Sequence, residues 1–111
     1  MHSDSRYDPL ALVPLFASLT EDDRAMLLAQ MQLVNLRKGE YLVRQGEEAD
    51  CLYYVLRGRL DVLRDGQQLV AEIGSGEPVG EIAFFADTLR TADVMASRDS
   101  QLLRLGRSEF E

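Results

Sequence analysis

Apolar positions along this chain recur first at helical spacing and then at strand spacing. Thr20 carries a hydroxyl suited to a helix N-cap, and Glu21, Asp22 and Asp23 place negative charge in the first turn. Ala25, Leu27, Leu28 and Met31 then supply one apolar face, so a helix is predicted over residues 20–30. Before it, Pro9 and Pro14 punctuate a short apolar stretch, 10–16, of one or two helical turns. Residues 10–31 therefore read as a helical segment behind a polar, flexible leader, 1–9.

From Leu33 onward the texture changes. Seven of the eight glycines fall between Gly39 and Gly80. Between them lie short segments, 41–44, 51–56, 59–64 and 68–73, rich in aliphatic and aromatic residues and bounded by turn chemistry. Asp65-Gly66 separates two apolar runs and predicts a hairpin. Further strands follow at 91–96, where Ala92, Val94 and Ala96 share a face, and at 102–105. Many short strands at regular spacing imply a mainly β fold, a sandwich or barrel-like roll over 32–106. One segment breaks the pattern: after Gly80, residues 81–85 are helix formers and predict a single short helical turn inside the roll. Such breaks of a local rule are where sites are found.

Composition narrows the classes. With 111 residues, 46% of them hydrophobic and 28% charged, the chain has the makings of one domain with a real core. A net charge of −7 argues against a nucleic-acid binder, which must neutralise phosphates. The single Cys51 and single His2 exclude an internal disulfide, a zinc site or a serine–histidine triad, so neither metal nor catalysis is expected. Cys51 opens an apolar strand and reads as an inert, partly buried thiol. No apolar run reaches about 18 residues, so neither a spanning helix nor other membrane contact is expected, and a cytoplasmic setting is. Gly74-Ser75-Gly76 reads as a turn, and Glu47, Glu48 and Asp50 as a solvated loop.

The segment 80–91 offers specific chemistry. A glycine lets a ligand approach the main chain, and a helix starting just after it presents the unpaired N–H groups of Ile82 and Ala83 to an anion. Arg90 is placed to return a guanidinium to the same anion. Glu81 would repel that anion unless it had another task, and accepting a hydrogen bond from a ribose hydroxyl is such a task. Phosphate plus ribose means a nucleotide.

The stretch Val79-Gly80-Glu81-Ile82-Ala83-Phe84-Phe85, followed by Arg90-Thr91-Ala92-Asp93-Val94, resembles the phosphate-binding cassette of the cyclic nucleotide-binding domain family. That cassette opens aromatic-Gly-Glu-aliphatic-Ala and closes Arg-small-Ala-x-Val, with the spacing from Gly80 to Arg90 kept here. Pro14-Leu15-Phe16, Lys38-Gly39-Glu40, Gln45-Gly46-Glu47, Leu52-Tyr53-Tyr54-Val55 and Arg57-Gly58 extend the resemblance over 15–109. It implies an eight-stranded β-roll flanked by helices. It also implies that Gly80 and Glu81 hold the ribose and that Ile82, Ala83 and Arg90 hold the cyclic phosphate. Thr91 follows the arginine where some members use a hydroxyl, and Val62 and Val70 are the implied apolar wall around the base.

The implied ligand is cyclic AMP or cyclic GMP, cyclic AMP being favoured, with no further cofactor. Val79 and Leu89 depart from the family's usual aromatic and proline. Residues 107–111 resemble the start of the first of two C-terminal helices, which would place the family's lid, and an attached effector domain, outside this chain. Two roles fit the resemblance: a cyclic nucleotide sensor controlling an effector, or a structural roll without nucleotide response, as in front of bacterial patatin-like phospholipases. A transcription regulator would need a helix-turn-helix, and the sequence carries none.

Overall fold

The computed structural model describes residues 16–110, so the leader and most of the 10–16 stretch lie outside the described residues. Helix α1, Glu21–Ala29, is capped as its sequence predicts: Thr20 Oγ1 accepts from the Asp23 N–H at 3.1 Å. Leu27, Leu28 and Met31 pack half-buried on the body, while Ala25 of the same predicted face is exposed. Strands β1 (Gln32–Leu36), β2 (Tyr41–Val43), β3 (Cys51–Arg64), β4 (Gln68–Gly74) and β5 (Pro78–Val79) follow. Then come α2 (Glu81–Ala86), β6 (Asp93–Gly106) and α3 (Arg107–Phe110).

The described residues form six strands, because the predicted segments 51–56 and 59–64 are one continuous strand, β3. Likewise 91–96 and 102–105 merge into β6. These two 14-residue strands pair antiparallel along their length, with register shifts between Val55 and Leu60. Each serves two sets of neighbours: β6 pairs β2 near Val94 and β1 from Ser100 to Arg104, while β3 pairs β5 near Tyr53 and β4 beyond Gly58. Counted by half-strand the roll has the implied eight segments. The β3–β4 hairpin turns at Asp65 and Gly66, both at positive φ.

Alternation along β3 divides the core. Cys51, Tyr53 and Val55 join Leu36, Val43, Leu60, Val94, Ala96 and Leu102 in one cluster, which takes residues from both halves of β3 and β6 and so lies within the rolled sheet. Leu52 and Tyr54 point the other way, where Phe16, Phe84, Leu103 and Leu105 cover them. Burial on both faces explains the unbroken apolar run of residues 51–56.

The bend rests on Gly58, whose φ is +115°. A Cβ there would stand 2.1 Å from Ser100 Oγ and 2.6 Å from Ser100 Cα, so backbone, and not merely a side chain, would have to move. Ser100 Oγ in turn accepts from the Arg59 N–H at 3.1 Å and ties the crossing together. Gly58→Ala is therefore expected to destabilise the domain by about 2–5 kcal/mol through strain and overpacking, read as a lower urea midpoint. Ser100→Ala, which adds no strain but loses the hydroxyl's bonds from the Arg59 N–H and to the Arg98 carbonyl, should cost about 1–3 kcal/mol.

Candidate functional site

A cavity of about 240 Å³ opens between α2, the segment leading into β6 and the inner face of the roll. Gly80, Glu81, Ile82, Ala83, Thr88, Arg90 and Thr91 form one side. Val43, Val62, Ile73, Val79, Ala92 and Val94 form an apolar wall. Seven of the eight residues singled out from sequence thus meet at one place. Val70 does not. It is the extra residue of a bulge in β4, where Val62 pairs Ala71 but Leu63 pairs Leu69, and it is 43% exposed. Ile73, two residues beyond Ala71 and on the same face, takes the place in the wall that was expected of Val70. Only the hairpin register reveals that substitution.

Gly80 is required where it stands. It holds φ +76° at the N-terminus of α2, and a Cβ on it would lie 2.1 Å from Arg90 Nη1. Having no side chain, it caps nothing, so the first N–H groups of α2 are left without a side-chain cap where Ile82 and Ala83 border the cavity. Its carbonyl accepts from the Phe84 N–H at 3.1 Å and from Arg90 Nη1 at 3.2 Å.

Arg90 is the chemical centre of the site. It is 5% exposed, and Nη2 donates to the Cys51 carbonyl at 2.5 Å and lies 3.7 Å from Cys51 Sγ. Its backbone is pinned to the preceding turn, the Arg90 N–H donating to Glu47 O at 2.7 Å and its carbonyl accepting from the Gly46 N–H at 2.9 Å. The acidic loop expected at 47–50 therefore supports the arginine through main-chain atoms. Among the described residues no carboxylate pairs with Arg90, and its buried Nε has no hydrogen-bond partner. Glu81, half-buried at the cavity edge, has no hydrogen-bond or ion-pair partner among the described residues. An apolar cavity backed by an unneutralised cation and open helix N–H groups is suited to a small anion with an apolar part.

Cys51, expected to be partly buried, is fully buried. Its side chain faces Tyr53, whose phenol is pushed up to about 12 by burial first and by Cys51 second, with Arg104 opposing. Burial works against the Arg104 cation, but Cys51 and Tyr53 together raise its pKa above the ordinary value. Phe84 is buried in the core as expected, while Phe85 meets it edge-on at 5.1 Å and is itself exposed.

The class is thus a β-roll with a cavity beside a short helix and a buried arginine at its edge. The profile of the cyclic nucleotide-binding domain matches residues 33–111, and the chain belongs to that family. A cyclic nucleotide-binding-like protein from Brucella abortus is 30% identical with a TM-score of 0.84, over 98% of this chain and 95% of that one. The regulatory domain of Toxoplasma gondii PKA, solved with cAMP, is 33% identical with a TM-score of 0.87, over 96% of this chain and 41% of that one. Lysophospholipase nte1 of Aspergillus fumigatus is 38% identical over 109 residues, 92% of this chain. The chain spans 7% of the length of that relative. Among the described residues no helix is long and apolar enough to cross a membrane, and no cluster of three or more His, Cys, Asp or Glu could hold a metal.

The raised Tyr53 pKa sets a stability window. The folded state keeps the phenol proton that the unfolded chain releases above pH 10.0, so the stability this gives is present below pH 10 and is lost as pH rises towards 12. Urea unfolding at a series of alkaline pH values should show this decline, and Tyr53→Phe should flatten it.

Proposed function

We propose that this domain binds a cyclic nucleotide, cyclic AMP or cyclic GMP, in the cavity between α2 and the roll and controls an effector joined to it. The cyclic phosphate is held by Arg90 and the N–H groups of Ile82 and Ala83. The ribose lies against Gly80, with Glu81 accepting from its 2′-hydroxyl. Val62 and Ile73 take the base, and Thr91 stands beside the phosphate. The observation that carries this reading is Arg90: a buried guanidinium with an unpartnered Nε and no carboxylate partner, at the edge of an apolar cavity. A buried polar atom without a partner is rare in a native fold, and a phosphate oxygen would satisfy it.

The PKA relative solved with cAMP supports cyclic AMP as the favoured ligand. The lysophospholipase relatives, far longer than this chain, support a lysophospholipid-hydrolysing effector, with the catalytic groups outside the domain. A second reading, a structural roll without nucleotide response, has one observation in its favour. Both terminal nitrogens of Arg90 already donate to carbonyls, of Gly80 and Cys51.

Calorimetric titration with both nucleotides separates the two readings. The sensor reading expects saturable binding, and the structural reading expects none. Arg90→Ala should weaken binding by roughly 30-fold to several thousand-fold, the effect of removing one partner of a buried charge pair worth about 2–5 kcal/mol. Unchanged affinity in a folded Arg90→Ala protein would contradict the assignment. The role of Glu81 has its own check: a 2′-deoxy cyclic nucleotide should bind distinctly worse than its parent, and Glu81→Ala should largely abolish that difference.

A further inference from the structure

Two arginines, not one, hold the short helix beside the cavity. Arg90 fastens its N-terminal end, donating to Gly80 O and to Cys51 O. Arg107, the first residue of α3, fastens the other end. Its Nη2 donates to Phe84 O and to Ala49 O, each at 2.7 Å. Its guanidinium also lies 4.5 Å over the buried Phe84 ring, and its own N–H donates to Asp50 O at 2.9 Å.

The carbonyls of Ala49, Asp50 and Cys51 therefore receive the side chain of Arg107, its backbone N–H and the side chain of Arg90 in turn. Both ends of α2 are tied to one three-residue segment at the start of β3. Arg107 is not among the residues bordering the cavity, so it acts on a ligand there only through the helix.

The need for such a fastening lies in α2 itself. It has six residues, too few to persist alone, and it ends at Asp87 in the left-handed region, φ +56°. The last hydrogen bonds of its C-terminal end are Asp87 N–H to Phe84 O at 3.3 Å and Thr88 N–H to Ala83 O at 3.0 Å. The carbonyl that Arg107 grips is one of these two acceptors. The Arg107–Asp87 ion pair, at 3.5 Å with Asp87 largely exposed, adds little. The carbonyl contacts and the ring contact set the helix end in place.

We propose that Arg107 is a positioning residue of the nucleotide site: it fixes the C-terminal end of α2, and with it the direction in which Ile82 and Ala83 present their N–H groups, without touching the ligand. The inference rests on the nucleotide reading above, but its first consequence is independent of any ligand. With Arg107 removed, the end of α2 frays.

Amide hydrogen exchange and calorimetric titration on the 111-residue chain, its Arg107→Ala variant and its Arg107→Lys variant test this. In Arg107→Ala the amides of Asp87 and Thr88 should exchange at least about tenfold faster while those of β3 and β6 keep their protection. Affinity for cyclic AMP and cyclic GMP should fall on the order of tenfold, the effect of losing a charge-assisted hydrogen bond, through faster dissociation. Arg107→Lys keeps the charge but not the planar ring contact and should recover part of both effects.

Unchanged exchange at Asp87 and Thr88 overturns the proposal, as does unchanged affinity in Arg107→Ala beside a parent that binds. Should β3 and β6 lose protection in Arg107→Ala, the lysine variant decides on the same two readouts. A parent chain that binds neither nucleotide overturns the nucleotide reading instead, and the exchange result alone then decides whether Arg107 holds the helix.

Discussion

Arg90 is buried at the junction of α2, the start of β3 and the cavity, and much of the site's arrangement follows from how that charge is accommodated. A cation removed from water must be met by acceptors, or its cost is several kcal/mol. Here the acceptors are two main-chain carbonyls, Gly80 O and Cys51 O, and no carboxylate neutralises the charge among the described residues. That choice has two consequences. The guanidinium becomes a strut that fixes Gly80 relative to β3, and its charge stands at the cavity edge with carbonyl partners only.

The scaffold makes this burial possible. Because β3 and β6 run 14 residues each and bend where Gly58 meets Ser100, one pair of strands supplies both layers of the roll. The inner face of β3 puts Cys51, Tyr53 and Leu60 into the core and Val62 into the cavity wall. Its outer face seats Phe84 and so anchors α2 from below. The cassette helix is thus held by a packed aromatic ring in its middle and an arginine at each end. Rigid placement of a short helix is what its open N–H groups require to act as an anion site, since a fraying helix presents them in no fixed direction.

Family membership and site geometry contribute different things. The match over residues 33–111 establishes the kind of domain. The cavity, the orphaned Nε of Arg90 and a Glu81 without a partner among the described residues are properties of this chain's own side chains, and the proposed nucleotide site rests on them.

Much was legible in the sequence because it depends on local spacing. The Thr20 cap, the α1 boundaries, the Asp65-Gly66 hairpin and the helical turn after Gly80 are encoded within a few residues, and the single segment from Gly80 to Thr91 holds six of the eight expected site residues. What the sequence left open depends on register and on distant partners. Nothing local distinguishes two strands from one bent strand at Gly58, because the reason for the bend is Ser100, 42 positions away. Val70 and Ile73 exchange places because a bulge in β4 moves one residue out of step, and a one-residue slip in a strand reverses every side chain's direction. The carbonyls of residues 49–51 that receive Arg90 and Arg107 carry no mark in any side chain at all. Sequence determined which chemical groups the site would contain; tertiary structure decided which face each would reach, because facing is set by pairing across the sheet and not by order along the chain.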